Sequence, residues 1–520
     1  MAWRNDRTLH HRKSDLTGKQ IISMYSPDKP YLVYEQDEWW SDRWDPMTYG
    51  RPFDFSKSFQ EQFDALSIAV PHQSLYTTNA QNSHYTNHSL NAKDCYLIGG
   101  LTNSENCMYG RFIISCKDVV DGASLVSCEW CYEGVASQQC YHCAYFTYCR
   151  NCSDCLMIED CQSCKNCIAC FGLKNAECCI GNERLGKEEY ERRKAELGEL
   201  SRENIALLQS RLNEVKAKLP HRAGQIFASE NCTGDMIFNS KNCSWCFDIS
   251  DCEDSNFVSF TPKGIHSHDA TFTAPDGVEW CYDVGSTVGV QRGLFTFLAW
   301  YGANLLYCTE CHHCNDCFGC VGLRRKQYCI FNVQYTKEEY EALAGKIIEH
   351  MQKDNGAAMN PSPQASGSWG EYMPVSSSRF AYNESVAFDY YPLSREEVLK
   401  RGWKWNDGTN SEDHYLGPDV PLPGCISETP DNITDQILRC SVTGKPYKIT
   451  PQELKFYRTT GIPVPHISPD ERHRQRLSRR NPRHLWARTC AQCQKSIETT
   501  YNPQRPEIIF CEDCYLKEVY

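Results

Sequence analysis

Between Cys95 and Cys179 the cysteines keep a 12-residue register. Cys95, Cys107, Val119, Cys131, Cys143, Cys155, Cys167 and Cys179 form one series, and Cys116, Cys128, Cys140, Cys152 and Cys164 form a second, three residues earlier in each cycle. Cys149 and Cys161 start a third. A helix repeats at about 3.6 residues and a strand at 2, so this pattern excludes both as the basic unit. It fits a solenoid with one coil per 12 residues, where equivalent positions stack about 4.8 Å apart and each column takes residues of one size. Cysteine suits such a column because it is compact, apolar and among the most buried residue types. The Asn, Ser, Asp and Gly between the cysteines suit tight corners.

The pattern is duplicated. Residues 161–197 align without gaps at an offset of 150 on residues 311–347: Cys161, Cys164, Cys167, Cys170 and Cys179 fall on Cys311, Cys314, Cys317, Cys320 and Cys329. Each half opens alike, with NAKDC at 91–95 and NSKNC at 239–243, so the halves run from 82 to 219 and from 229 to 353. Between Phe257 and Tyr307 the second half keeps Cys281 alone, and Phe, Val, Trp and Leu are expected to replace sulfur there. Thr336 and Glu339 form a capping box ahead of Tyr340, Leu343, Ile347 and Met351, at helical spacing. Tyr190, Leu197, Leu208, Leu212, Val215 and Leu219 predict two helical segments after the first half. Such helices would cap the open solenoid ends. Residues 354–424 read as linker followed by a short helix from Arg395 to Arg401.

The termini carry a second repeat. Residues 4–38 align at an offset of 476 on residues 480–514, where Cys490, Cys493, Cys511 and Cys514 form two CxxC turns. Each turn points two sulfurs into one tetrahedron, the pattern of a four-thiolate zinc ribbon, and one zinc per chain is expected there. In the N-terminal copy the four positions are Ser14, Thr17, Glu35 and Glu38, so that module is expected to hold by packing of Ile21, Tyr25, Tyr34, Trp39 and Trp40. A third module starts at Cys440 and Thr443 and ends at Ser468 and Glu471, with one cysteine in four ligand positions and no metal expected. The chain thus reads as a degenerate ribbon (1–50), two solenoid halves, a linker, a degenerate ribbon with a basic helix (425–480) and an intact ribbon (481–520). The fold class expected is mainly β with α, two tandem Cys-rich β-solenoid halves flanked by zinc-ribbon-like modules.

These motifs carry a resemblance. The segment from Cys440 to Arg476 and the last 31 residues each resemble zinc-ribbon families. With GLRRKQYCIFNVQYTKEEY and the run from Trp369 to Trp405, nearly the whole chain resembles a cysteine-rich zinc-ribbon family of small-genome uncultivated bacteria that has no assigned activity. The departures at Ser14, Thr17, Thr443, Ser468 and Glu471 limit the zinc that this resemblance implies to the last module.

Thirty-three cysteines are an odd total and cannot pair completely. The charged N-terminal segment has no apolar core of signal-peptide type, and the longest apolar run, Leu294 to Tyr307, is short of the roughly 20 residues of a membrane span. A cytoplasmic protein off the membrane is therefore expected, with cysteines as metal ligands or packed thiols rather than disulfides. Net charge is −12, yet residues 425–520 hold 15 Lys and Arg against 11 Asp and Glu.

Three functions fit. The first is a non-catalytic interaction scaffold for an unidentified protein partner. The second is a nucleic-acid- or ribosome-associated protein, in which Arg472, Arg474, Arg476, Arg479, Arg480, Arg483 and Arg488 track phosphates and Trp486 stacks on an RNA base; the alternatives for that run are a solvated basic helix face or a pairing surface for the acidic remainder of the chain. The third is metal storage or redox chemistry at Cys161, Cys164, Cys167 and Cys170 and at Cys308, Cys311, Cys314, Cys317 and Cys320. Their spacing lacks the x3 step and proline of ferredoxin runs, and the coil register already accounts for it. His266, His268 and Asp269 could ligate a metal but suit a polar loop equally, and His312 and His313 are expected to point outward from the coil. No Walker loop, dinucleotide fingerprint, GxSxG elbow or HExxH occurs, and no enzyme activity is expected.

Overall fold

A computed structural model describes residues 1–357, 369–408, 417 and 419–519. Parts of the expected linker, 358–368, 409–416 and 418, lie outside the described residues. The chain forms two β-solenoids of parallel rungs in which residue i pairs with residue i+12: Leu156 with Ile168 and Cys167 with Cys179 in the first, Leu305 with Cys317 and Cys317 with Cys329 in the second. One coil of the second is two residues longer, so Gly264 pairs with Val278 and His268 with Tyr282.

Every third residue is a corner. Asn151, Asp154, Met157, Asp160, Ser163, Asn166 and Ala169 all lie in the left-handed region, with φ from 51° to 58°, so a coil has four corners and four short sides. Aromatic residues adopt this conformation too, as at Phe112 and Trp130. It costs a non-glycine residue roughly 1–2 kcal/mol, so closure of the coil imposes the corners and local preference does not.

The residue after each corner points inward, and its amide explains the cysteines. The corner amide is taken by backbone, as where Ser127 N donates to the Ile114 carbonyl at 2.8 Å. The next amide faces the inward side chain one coil earlier: Cys116 N donates to Ser104 Oγ at 3.1 Å, and Cys128 N donates to Cys116 Sγ at 3.3 Å. That same side chain donates to the carbonyl two residues back, Ser104 Oγ to Thr102 O at 2.9 Å and Cys116 Sγ to Ile114 O at 3.3 Å. A thiol thus fills the column as a small apolar group and accepts an amide that otherwise has no partner. Where sulfur is absent, volume is balanced across the coil. Gly122 sits against Leu125 and Ile113, whose methyl carbons a Cβ would approach to 2.8 and 2.9 Å.

In the cysteine-poor stretch Val258, Ala270, Val278, Val284, Val290 and Leu305 occupy the buried columns together with Ser255, Ser267 and Thr261. The expectation that Phe and Trp also replace sulfur is corrected. Phe257 and Trp280 fall in the register at corners, which point outward, and are 55% and 56% exposed; a Phe ring one residue past a corner does fit inside a coil, as Phe146 does against Gly134 in the first solenoid.

Each solenoid ends on an antiparallel strand, Glu183–Arg184 or Val333–Gln334, and is followed by helices. In chain order the helices are α1 (Gln36–Trp40), α2 (Phe59–Ala69), α3 (Lys187–Glu196), α4 (Arg202–Lys216), α5 (Lys337–Ala357), α6 (Val386–Tyr390), α7 (Arg395–Lys400), α8 (Pro451–Thr460), α9 (Pro469–Ser478) and α10 (Glu512–Val519). The Thr336–Glu339 capping box that starts α5 is present, with both reciprocal hydrogen bonds. Leu208 and Leu212 of α4 pack on Ile168, Phe171 and Ile180 at the first solenoid's end.

The described residues divide into two compact units: Met1–Tyr76 with Gly224–Asn406 and Arg483–Leu485, and Thr77–Ala223 with Asp407–Pro482 and Trp486–Tyr520. Both contain one solenoid, helices, a short His strand and a terminal module. Val33–Tyr34 pairs in parallel with His72–Gln73 in the first unit, and Ile509–Phe510 pairs in the same register with His221–Arg222 in the second. The His72 ring lies 5.6 Å from Tyr25, and the His221 ring lies 5.6 Å from Tyr501. Each His Nε2 meets the carbonyl five residues earlier, that of Ser67 at 2.7 Å and of Lys216 at 3.3 Å.

Candidate metal centre

The three modules share one turn. After a short strand the chain reverses so that residue i accepts from the amide of i+4 and donates to the carbonyl of i+5. Ser14 does so with Gly18 and Lys19, Cys440 with Gly444 and Lys445, and Cys490 with Gln494 and Lys495, at 2.8–2.9 Å throughout. The fourth residue after the start is left-handed in each, with φ 74° at Gly18, 72° at Gly444 and 62° at Gln494. A bond from the next amide then ties the turn to a distant segment: Asp15 N to Val33 O, Ser441 N to His466 O and Ala491 N to Ile509 O. Two residues after those carbonyls, at Glu35, Ser468 and Cys511, a helix begins.

The last module brings the Sγ atoms of Cys490, Cys493, Cys511 and Cys514 within 4.8 Å of one another, where they could hold a metal ion. The Cys493 and Cys511 sulfurs are 3.7 Å apart, against about 3.8 Å for two thiolates on one tetrahedral ion with bonds of about 2.3 Å. Cys511 N also donates to Cys490 Sγ at 3.3 Å. Burial raises the Cys490 thiol, but amides of Cys493, Cys511 and Gln492 outweigh it and leave it lowered to about 6. Burial and the adjacent sulfurs push Cys514 up to about 12. A cation among these sulfurs would stabilise thiolates at all four. Among the described residues no other group of three or more ligating side chains meets this condition.

The other modules close the same turn without such a set. Ser14 Oγ donates to Glu38 Oε2 at 2.8 Å. Ser468 caps α9, accepting from Glu471 N, so a capping bond stands at the positions of Cys511 and Cys514. Ile21, Tyr25, Tyr34 and Trp39 are buried in the first module's core, whereas Trp40 is half-exposed.

Each terminal module docks on a solenoid end through an aromatic residue and a cation. Arg324 lies 5.3 Å from the Trp39 ring and donates to the Trp39 and Ser41 carbonyls. At the equivalent positions Lys174 Nζ lies 5.6 Å from the Tyr515 ring. His312 projects from its coil as expected but is fully buried, with Trp39, Trp40 and Trp300 ring centroids at 5.6, 5.0 and 4.4 Å. His313 is exposed and stacks on Tyr301. His266 stacks on Trp280 at 4.2 Å with Nδ1 3.6 Å from Asp254, and His268 stands in the row of Tyr282.

The basic segment is largely consumed internally. Arg472 is buried, with Nε 2.8 Å from Asp121 Oδ2 and Nη2 donating to Glu453 at 3.1 Å. Arg476 is buried and donates to Asp121 at 2.6 Å and Glu133 at 2.7 Å. Arg479 also binds Glu133, Arg480 donates to Ser124, Arg483 is buried against Asp248, and Arg488 donates to the carbonyls of Asn502 and Glu507. Trp486 is half-buried in a strand paired with Thr499. Arg474 is exposed, and even it pairs with Glu471. Most of the expected phosphate-tracking run is thus paired within the chain, with Asp121, Glu133 and Asp248 on solenoid corners and with Glu453 and Glu471 on α8 and α9, while Arg474 keeps an exposed side chain.

The solenoid cysteines proposed as ligands, Cys161, Cys164, Cys167 and Cys170 with Cys308, Cys311, Cys314, Cys317 and Cys320, are free and buried. Their Sγ atoms face carbonyls, as Cys164 faces Gln162 O at 3.3 Å and Cys314 faces His312 O at 3.4 Å. Sequence reasoning missed the carboxylates Asp121 and Glu133, although their 12-residue spacing places them in one corner column. It also missed Glu310, fully buried against His72 Nδ1 at 2.9 Å and the Arg379 guanidinium.

The chain matches no family model, and no curated protein matches it at a significant level. No helix among the described residues is long and apolar enough to cross a membrane.

Proposed function

We propose that this protein is a non-catalytic interaction scaffold whose terminal module is braced by zinc. One observation carries the reading. A solenoid wall already serves as a receptor for a small module: α9 lies against the first solenoid with Arg472 and Arg476 on Asp121 and Glu133, and Tyr447, Leu454 and Tyr457 pack with Met108, Val120 and Tyr132. Four sulfurs in a tetrahedron-sized group favour zinc among common ions, and zinc there would hold the second CxxC turn, which opens α10, to the first. Buried thiols that accept amides of the next coil have a packing role, which argues against metal storage or redox chemistry.

Elemental analysis of anaerobically purified protein, with thiol titration before and after denaturation, tests this. About one zinc per chain, lost in Cys490→Ser with Cys493→Ser, and solenoid thiols that react only after denaturation are the expected results. Several zinc ions per chain, or stoichiometric iron, would overturn the reading in favour of metal storage or electron transfer.

A further inference from the structure

We propose that the wall of the second solenoid bearing Phe257, Asp269 and Asp283 docks a basic helix of a partner protein, with two arginines four residues apart. The inference rests on the scaffold reading and names the chemistry of one partner.

The two solenoids present the same wall. NAKDC and NSKNC align at an offset of 148, and cysteines after the two-residue insertion align at 150. Tyr109, Asp121 and Glu133, in one corner column, therefore correspond to Phe257, Asp269 and Asp283, also in one corner column. The adjoining outward row carries Met108, Val120 and Tyr132 in the first solenoid and Asn256, His268 and Tyr282 in the second.

In the first solenoid this wall is covered. Arg472 lies 5.0 Å from the Tyr109 ring and binds Asp121, while Arg476 bridges Asp121 and Glu133. Residues i and i+4 lie on one helix face about 6 Å apart along the axis, close to the roughly 4.8 Å between coils, so a helix with arginines at that spacing matches two stacked carboxylates. The aromatic ring below adds a cation–π surface.

In the second solenoid the wall has carboxylates at the same two positions, Asp269 and Asp283, both partly exposed, and an aromatic residue, and it is less covered. Tyr109 and Tyr132 are 2% and 4% exposed, whereas Phe257 and Tyr282 are 55% and 40% exposed. Burial pushes Asp269 up. Burial and Asp269 together push Asp283 up to about 6, with the amino-terminal charge working the other way. A guanidinium pair set over these carboxylates would relieve that repulsion. The occupant differs from α8 and α9 in one respect. The Tyr109 hydroxyl donates to Glu453, and Phe257 has none, so no acid is required at the place of Glu453.

The probe is a fluorescein-labelled, helix-stapled peptide of residues 468–480 of this chain, titrated into full-length protein and read by anisotropy. Saturable micromolar binding is expected, weakened at least about tenfold by Asp269→Asn with Asp283→Asn and by Phe257→Ala, and unchanged by Glu203→Gln, an exposed acid on α4. Replacing both peptide arginines that match Arg472 and Arg476 with alanine should abolish binding. Circular dichroism confirms that the variants fold, and because Phe257 is exposed its alanine variant serves if the double asparagine variant does not. No saturation below about 1 mM, or equal affinity in wild type and the wall variants, would overturn the proposal. Either failure leaves the zinc and thiol results untouched, so the scaffold reading stands or falls separately.

Discussion

If the inward thiols serve as acceptors for amides of the next coil, serine should replace cysteine better than alanine does, the reverse of what a purely apolar core demands. Cys116 is the position to test. Its sulfur accepts the Cys128 amide, and Ser104 makes the same bond one coil earlier with a hydroxyl. Cys116→Ala leaves the Cys128 amide buried without an acceptor, at about 1–3 kcal/mol, and removes sulfur packing worth about 1 kcal/mol. The Ile114 carbonyl adds little, since it keeps the Ser127 amide at 2.8 Å. Cys116→Ser keeps the amide acceptor and loses only the packing. The difference is about 2 kcal/mol, or roughly 30-fold in a local opening equilibrium. Global unfolding of a chain with two units is a poor readout, so the assay is hydrogen–deuterium exchange across residues 116–128. Exchange should be fastest in Cys116→Ala. Equal or faster exchange in Cys116→Ser would refute the hydrogen-bonding account and leave volume as the sole role of the thiols.

Three further outcomes are expected. Chelation, or Cys490→Ser with Cys493→Ser, should raise hydrogen exchange across 486–519 and at His221–Arg222, the strand paired with Ile509–Phe510, while 1–76 stays unchanged; unchanged exchange at 486–519 would mean that no metal holds the module. Arg476→Ala removes the bridge between Asp121 and Glu133, which keep Arg472 and Arg479 as partners, and should cost roughly 1–3 kcal/mol, read as faster proteolysis within 425–480, with Arg474→Ala as the silent control. Asp283 has a folded-state pKa raised to about 6, so the stability it contributes is fully present below about pH 4 and is lost as pH rises through 6. Asp283→Asn should accordingly raise the melting temperature at pH 7 and leave it unchanged at pH 4.

The solenoids were legible because one residue type marks both the 12-residue coil and the inward columns, and the pairing of Cys167 with Cys179 repeats that spacing directly. The sulfurs of the metal centre were legible for the same reason, being two local turns of fixed spacing. Corner residues were not. Phe112, Trp130 and Trp280 take a backbone conformation their side chains disfavour, because coil closure outweighs local preference. Phe257 and Trp280 were therefore mistaken for core. The fate of Arg472 and Arg476 turned on Asp121 and Glu133, more than 300 residues earlier in the chain. His312 lay beyond reach for the same reason, since its cover is supplied by Trp39 and Trp40.

The two units draw on interleaved stretches of chain, and synthesis runs in one direction. The first module is made well before the solenoid it caps, which starts only at Gly224. The first solenoid is finished by Ala223, but the module that seals its end begins at Trp486, some 260 residues later. At about 5–20 residues per second, a ribosome needs roughly 13–50 s to close that gap. Through that interval the nascent first solenoid has Glu183–Arg184, α3 and α4 at its end but lacks the cover of Tyr515 over Lys174, and the four cysteines that could hold a metal emerge only after it. Assembly of this protein is therefore a waiting problem, most exposed to oxidants and to aggregation before the last module is made.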